Sequence, residues 1–287
     1  MGFADFTLIF MTLSLIEQRL NELIPSASSP LVCAARYSLL APGKRLRPQL
    51  VLAAAEAFGA KVENALDPAC ALEMIHTYSL IHDDLPCMDD DDLRRGMPSL
   101  HKVYGEAIAL LAGDYLLTYA FEVLSKAPQL SAEQKIALIQ TLSQAGGSEG
   151  MIGGQAIDIE AEGTEIDQEM LMKMHEGKTA ALLAAALVSG AIIANAKDEE
   201  QQKMHQVGLK IGLAYQILDD ILDATKTTEE LGKPAGSDAK KNKPTAVTIY
   251  GLDGARKKLE EINTSLQLNS FPKPLQDKLK LLLNRSH

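Results

Sequence analysis

Apolar residues recur every three or four positions along almost the whole chain, and no convincing stretch alternates apolar with polar. Leu13, Ile16, Leu20 and Leu23 step in this way until Pro25 stops them, and Ile136, Ile139 and Leu142 do so behind a Ser131/Gln134 capping box. Leu259, Ile262 and Leu266 form a later stripe, and Leu275, Leu279 and Leu282 another beyond Pro272 and Pro274. A period near 3.6 puts such residues on one face of a helix, whereas a strand needs a period of two. The expected fold is therefore all-α. No Gly/Ser/Pro-rich linker and no solenoid repeat divides the chain, so residues 30–287 are expected to form a single domain behind an N-terminal helix within 1–29.

Composition narrows the classes of partner. A hydrophobic content of 46% suits a globular protein, and a net charge of −10 without a Lys/Arg-dense face argues against nucleic acid. Cys33, Cys70 and Cys87 have no metal-site spacing and suit reduced thiols, hence a cytoplasmic protein. The first residues are apolar but lack a basic start and a small-residue cleavage site, so no signal peptide is expected; Met1 and Met11 are both open as the start. Thr179–Ala196 is uncharged and close to spanning length, yet its Ala content and the interruptions at Ser189, Gly190 and Asn195 fit a helix buried inside protein better than a membrane span.

Two apolar helices carry polar stripes. His76, Ser79 and Asp83 lie three and four apart in one, and Gln216, Asp219 or Asp220, and Asp223 in the other. Polar stripes on buried helices are costly unless they line an occupied cavity. Asp219 and Asp223 project from one face about 6 Å apart along the axis, a spacing that suits a hard divalent ion. Asp83, Asp84 and Asp89 can share such a task only if the helix is deformed between them, for which Pro86 supplies a cause. Asp90, Asp91 and Asp92 read as a solvated loop. Lys44, Arg45 and Arg47 form a basic patch between Gly43 and Pro48, and Arg94 and Arg95 follow the first acidic cluster. Acids for metals beside cations for phosphates imply a diphosphate substrate.

The segments GKRLRP, HTYSLIHDDLPCMDDDDLRRG, GGQAIDI, HEGKTAAL, YQILDDILDAT and GKPAGSD, in this order, closely resemble the short-chain trans-isoprenyl diphosphate synthases, in particular the bacterial farnesyl diphosphate synthases. The resemblance implies a bundle of long helices around a central cavity, the isoprenoid synthase fold, usually as a homodimer. It implies that Asp83, Asp84, Asp89 and Asp219, with Asp220 and Asp223 in support, bind about three Mg²⁺ ions that bridge the allylic diphosphate. Arg94, Lys178, Lys233 and Lys243 would grip that diphosphate, and Lys44, Arg47, His76 and Arg95 that of isopentenyl diphosphate. Thr179 and Gln216 would lie beside the carbon where positive charge develops. Pro244-Thr245-Ala246 departs from the small residue, Thr and aromatic that usually follow the last lysine.

In such enzymes the residues four and five before the first aspartate motif form a floor for the growing chain, here Ser79 and Tyr78. An aromatic there resembles synthases that stop at farnesyl diphosphate, made from dimethylallyl and then geranyl diphosphate. A geranylgeranyl diphosphate synthase is the near alternative. A terpene cyclase is disfavoured by the second aspartate motif and the basic patch, and a non-catalytic subunit by both acidic motifs being intact. A di-metal carboxylate oxidase would need Glu-x-x-His pairs.

Overall fold

The computed structural model describes residues 3–26, 29–226, 243–266 and 268–283. Helices α1 (Phe3–Leu23), α2 (Pro30–Leu39), α3 (Leu46–Ala57) and α4 (Val62–Asp83) are followed by a hairpin of β1 (Leu93–Arg94) and β2 (Met97–Pro98). Then come α5 (Leu100–Tyr104), α6 (Glu106–Lys126), α7 (Ala132–Gly146), α8 (Met151–Glu160) and α9 (Gln168–His175). A π-helical turn, Glu176–Ala180, joins α9 to α10 (Ala181–Ile193). Helices α11 (Asp198–Thr225), α12 (Ala246–Ser265) and α13 (Lys273–Leu283) complete the described chain, with a 3-10 turn at Leu268–Ser270. The architecture is all-α, as the periodicity predicts; the two-residue strands are too short for alternation to register.

These elements group into two compact units, Met1–Gln140 with Ser189–Asn195, and Thr141–Val188 with Ala196–His287. In the first, α4 packs against α3 and α6, and α1 lays the fully buried Ile16 and Leu20 on the same unit. Each such side chain contributes roughly 1.5–3 kcal/mol by leaving water. The capping box at the start of α7 forms as expected, with Ser131 N–H on Gln134 Oε1 at 2.9 Å and Gln134 N–H on Ser131 Oγ at 3.2 Å. The expected stripe turns inward only in part: Leu142 is buried and Ile139 half-buried, but Ile136 is 66% exposed and Leu138 is buried as well. Local spacing fits either face, and the packed neighbours select one.

In the second unit α11 is the spine, packed on α12, α13, α9 and the π turn. Leu275 and Leu279 of α13 are fully buried, while the side chain of Leu282 lies outside the described residues. Gly251 (φ 71°) breaks α12. The most apolar window of Gln168–Ile193 is 78% buried within protein, which agrees with a core helix. Helix α6 is also apolar and long enough to cross a membrane, a feature the sequence reading passed over; its window is 39% buried and Leu110 and Leu111 are exposed.

Candidate active site

The candidate residues divide between the two units. In the first, α4 stops at Asp83, since the residue before Pro86 disfavours helical backbone. The chain then doubles back: Asp89 N–H donates to the Asp83 carbonyl at 2.8 Å, and Asp90 N–H to that of Leu85 at 3.1 Å. Residues 83 and 89 thus meet at one helix end. The deformation expected at Pro86 is a hydrogen-bonded termination and not a bend.

Asp84 is buried, and burial pushes its carboxyl up despite Arg94 beside it. Arg94 Nε donates to Asp84 Oδ1 at 2.9 Å and its Nη2 to Asp91 Oδ2 at 3.1 Å. Burial works against the Arg94 charge, but Asp84 and Asp91 outweigh it and hold the guanidinium above its ordinary pKa. Asp92 pairs with Lys102 at 2.7 Å on the exposed surface, so within the expected loop Asp91 and Asp92 have cationic partners. Arg95 (φ 55°) and Gly96 (φ 76°) form the tight turn between β1 and β2, where positive φ at both positions suits the right-handed twist of the strands. That turn sends Arg94 to Asp84 at the end of α4 and Arg95 to Glu73 further back along the same helix.

His76 on α4 is held well below its ordinary pKa by burial and then by Arg47 and Arg95. Its ring is therefore neutral and stands in the field of the basic patch that the sequence reading assigned to isopentenyl diphosphate. Lys44 is exposed and Arg47 half-buried. Tyr78 is 4% exposed, its hydroxyl has no hydrogen-bond partner, and its ring meets His82 edge-on at 5.7 Å. Burial and the nearby Asp83 push the phenol up to about 12. Ser79 Oγ donates to the His76 carbonyl at 2.9 Å, so that hydroxyl is engaged by its own helix.

In the second unit two glycines let α8 and the π turn touch. A Cβ on Gly177 would stand 2.8 Å from the Gly150 carbonyl oxygen and 2.9 Å from Gly154 Cα, and one on Gly154 would strike the Lys178 backbone nitrogen. One turn beyond Gly154, the buried Asp158 accepts from Lys178 Nζ at 2.6 Å and Lys243 Nζ at 3.1 Å. Burial alone would raise the Asp158 carboxyl, but Lys178 and Lys243 outweigh it and hold it below the ordinary carboxylate range. Lys178 and Thr179 both sit on the π turn, a distortion frequent at functional sites.

A hydrogen-bonded chain fixes the amide on α11. Thr179 Oγ1 donates to Gln216 Oε1 at 2.9 Å, Gln216 Nε2 to Asp220 Oδ1 at 2.9 Å, and Ala246 N–H to Asp220 Oδ2 at 2.7 Å. His175 Nε2 lies 3.7 Å from Asp220 Oδ2. Burial lowers the His175 pKa to about 4, so this contact is between a neutral ring and a carboxylate. Asp219 is partly exposed, and Asp223 is 6% exposed with Oδ1 lacking a hydrogen-bond partner. The sequence grouped Asp219, Asp220 and Asp223; the structure gives both Asp220 oxygens internal donors. Lys233 lies outside the described residues.

Two carboxylates escaped the sequence reading. Asp158 stands inside the GGQAIDI segment and received no role, and Glu73 is an acid among the apolar residues of α4. A lone charge on a buried face needs a partner, which was the available signal. Among the described residues no three His, Cys, Asp or Glu side chains form a closed metal cage. Mg²⁺ commonly takes one or two carboxylates and completes its shell with water and substrate phosphates. The all-oxygen donor set, with the buried Asp223 Oδ1 free of hydrogen bonds, fits that mode.

A family model described as polyprenyl synthetase matches residues 29–278. Farnesyl diphosphate synthase of Bacillus subtilis (strain 168) is 49% identical over 226 residues, 78% of this chain and 76% of that protein. The chloroplastic geranylgeranyl pyrophosphate synthase of Catharanthus roseus is also 49% identical, over 234 residues, 81% of this chain and 66% of that one. The crystal structure of a geranyltransferase from Helicobacter pylori, complexed with magnesium and isoprenyl diphosphate, superposes with a TM-score of 0.87 at 38% identity, covering 99% of this chain and 98% of that one.

Proposed function

The chain belongs to the polyprenyl synthetase family, and from that premise we propose that it condenses isopentenyl diphosphate with dimethylallyl and then geranyl diphosphate to give farnesyl diphosphate and diphosphate. The observation that carries the reading is the same device in both units: cations that suit a diphosphate, Arg94 in one and Lys178 with Lys243 in the other, held in place by buried carboxylates.

Diphosphate leaves readily only when its charge is neutralised, and Mg²⁺ supplies part of that neutralisation. Asp83, Asp84, Asp89 and Asp219 are the proposed ligands, with Asp220 and Asp223 in support. Lys178, Lys243, Arg94 and Lys233 are the cations assigned to the allylic diphosphate, where they would offset the charge that builds in the transition state. Asp158 presets two of these lysines, so they need little rearrangement as the bond breaks. The Gln216 carbonyl and the Thr179 hydroxyl, locked by the chain ending at Asp220, turn lone pairs to the allylic carbon where positive charge develops. Lys44, Arg47 and Arg95 hold isopentenyl diphosphate, and the neutral His76 ring adds one N–H donor. The double bond attacks the allylic cation, and the proton then lost goes to the departing diphosphate. No protein nucleophile takes part.

We assign Tyr78 and Ser79 as the floor that sets product length; burial of the Tyr78 ring one to two turns before Asp83 supports this. Geranylgeranyl diphosphate is the second reading, favoured by the equal identity to a synthase of that name. A single polyprenyl synthase domain over 30–287, a cytoplasmic setting and a homodimer belong to the same proposal, the last supported by exposed Leu110 and Leu111 on α6. Product analysis tests it: purified protein with Mg²⁺, labelled isopentenyl diphosphate and excess dimethylallyl diphosphate, followed by phosphatase and chromatography. Farnesol as the main alcohol supports the whole reading. Geranylgeraniol keeps the reaction and overturns the floor, and no condensation product overturns the function.

A further inference from the structure

In the GKRLRP segment the middle cation turns away from its neighbours. Lys44 is exposed and Arg47 half-buried, but Arg45 is 2% exposed and its backbone is left-handed, φ 43° and ψ 42°. A non-glycine residue keeps such a conformation only when its surroundings over-determine it. Here the guanidinium supplies that constraint: Nη2 donates to the Ala41 carbonyl at 2.7 Å, Nε to Glu17 at 3.1 Å and Nη1 to Glu73 Oε1 at 2.9 Å. Arg45 therefore pins the loop that carries Lys44 and Arg47 onto α4 and α1.

Glu73 is 1% exposed, and the same Oε1 atom lies 3.5 Å from Arg95 Nη2. Arg95 in turn lies across Gly43, where a Cβ would come within 3.1 Å of its Cζ and Nη1. One buried carboxylate thus stands between two guanidiniums that would otherwise repel. Burial, and Arg45 beside it, lower the Arg95 pKa even with Glu73 present, so Glu73 offsets the repulsion between the two guanidiniums only in part. A buried ion pair is weak evidence for stability, because a well-packed apolar pair commonly does as well; what it can supply that an apolar pair cannot is registry of charged groups.

We propose that Glu73, with Arg45 as its buried counter-ion, is the positioning residue of the basic cluster, holding Arg95 across Gly43 so that Lys44, Arg47 and Arg95 meet a diphosphate as one preset group. This rests on the reading of those three cations as the ligands of isopentenyl diphosphate. Glu73 itself touches no reacting atom. Its effect is confined to one of the two substrates, because the cations assigned to the other are held by different carboxylates, Arg94 by Asp84 and Asp91 and the two lysines by Asp158.

The test compares wild-type protein with Glu73→Gln and with the double variant Glu73→Gln/Arg45→Met. Each is measured for Tm, for KM of both substrates, and for calorimetric binding of inorganic diphosphate. Glu73→Gln takes from Arg45 its buried counter-ion and leaves only the exposed Glu17, so Tm falls. The double variant removes both buried charges and recovers part of that loss, since the left-handed Arg45 position also gives up its bonds to Ala41 and Glu17. In both, KM for isopentenyl diphosphate rises about tenfold to a hundredfold, the scale of a misplaced binding group, while KM for dimethylallyl diphosphate stays within about twofold. If Glu73→Gln does not fold, the double variant carries the measurement. A double variant with wild-type KM for isopentenyl diphosphate, or an equal rise for both substrates, reduces Glu73 to a structural residue and overturns the proposal. A wild-type protein that does not condense the substrates overturns the functional reading instead. Calorimetry then decides the positioning claim alone: about tenfold weaker binding of inorganic diphosphate by the double variant upholds it, and unchanged binding overturns it.

Discussion

Replacing Asp158 with Asn keeps the shape of the side chain and removes the one charge that Lys178 and Lys243 share. Hydrogen bonds to charged groups contribute roughly 1.5–3 kcal/mol each, so the two contacts at 2.6 and 3.1 Å amount to about 3–6 kcal/mol before relaxation. Lys178 is 31% exposed and can turn to water, whereas Lys243 is 11% exposed and cannot do so freely. Glu162, 3.5 Å from Lys243, offers partial compensation. A net loss near the lower bound, about 3 kcal/mol, is expected, as for removal of one partner of a buried pair. For a chain of this size that lowers Tm by roughly 6–12 °C in scanning calorimetry at neutral pH. The pH dependence has a definite sign. The folded carboxyl is held below the ordinary range, so the unfolded state binds the extra proton first and stability rises with pH across the interval. The Asp158 contribution is complete above the unfolded value of about 3.9 and disappears as pH falls through the folded one. The gap between wild type and Asp158→Asn is therefore full at pH 7 and closes in acid below about pH 4. The variant also raises KM for the allylic diphosphate about tenfold, since both lysines lose their preset position. A Tm within about 1 °C of wild type at pH 7, or a gap that persists unchanged in strong acid, would refute the reasoning.

Gly154→Ala places a methyl group against the Lys178 backbone nitrogen, so the π turn must move; a loss of about 1–3 kcal/mol in denaturant titration and a lower kcat are expected. Tyr78→Ala empties a buried ring site at a cost of about 3–5 kcal/mol and extends the product beyond fifteen carbons, read as a longer alcohol by chromatography. An unchanged product would remove Tyr78 from the floor. Chelation with EDTA abolishes diphosphate release while the far-UV circular dichroism of the helices is retained, because the buried Asp84 and Asp220 already have protein donors and the helices do not need the ion to form. Loss of helicity on chelation would contradict that.

Much of this protein was determined by local rules that a sequence expresses directly. The 3.6-residue spacing of Ile16 and Leu20, or of Leu275 and Leu279, makes helices whose buried sides follow from it. The Ser131/Gln134 capping box and the break at Pro86 depend only on neighbours within one turn. The two aspartate clusters and the basic patch at Lys44, Arg45 and Arg47 are equally local patterns. What tertiary structure alone decided is which charge meets which. Asp158 and Lys243 are 85 positions apart, and Arg45 and Glu73 28 apart. Whether Asp220 faces a metal or accepts hydrogen bonds from Ala246 N–H and Gln216 Nε2 depends on where α12 begins against α11. Ile136 points outward although its spacing fits the inward stripe, because periodicity defines a face without saying what lies opposite it. The π turn that carries Lys178 and Thr179 exists where Gly154 and Gly177 allow two backbones to touch. A helix is stabilised by contacts between residues a few positions apart, whereas a buried charge is stable only beside a partner that folding brings from elsewhere in the chain.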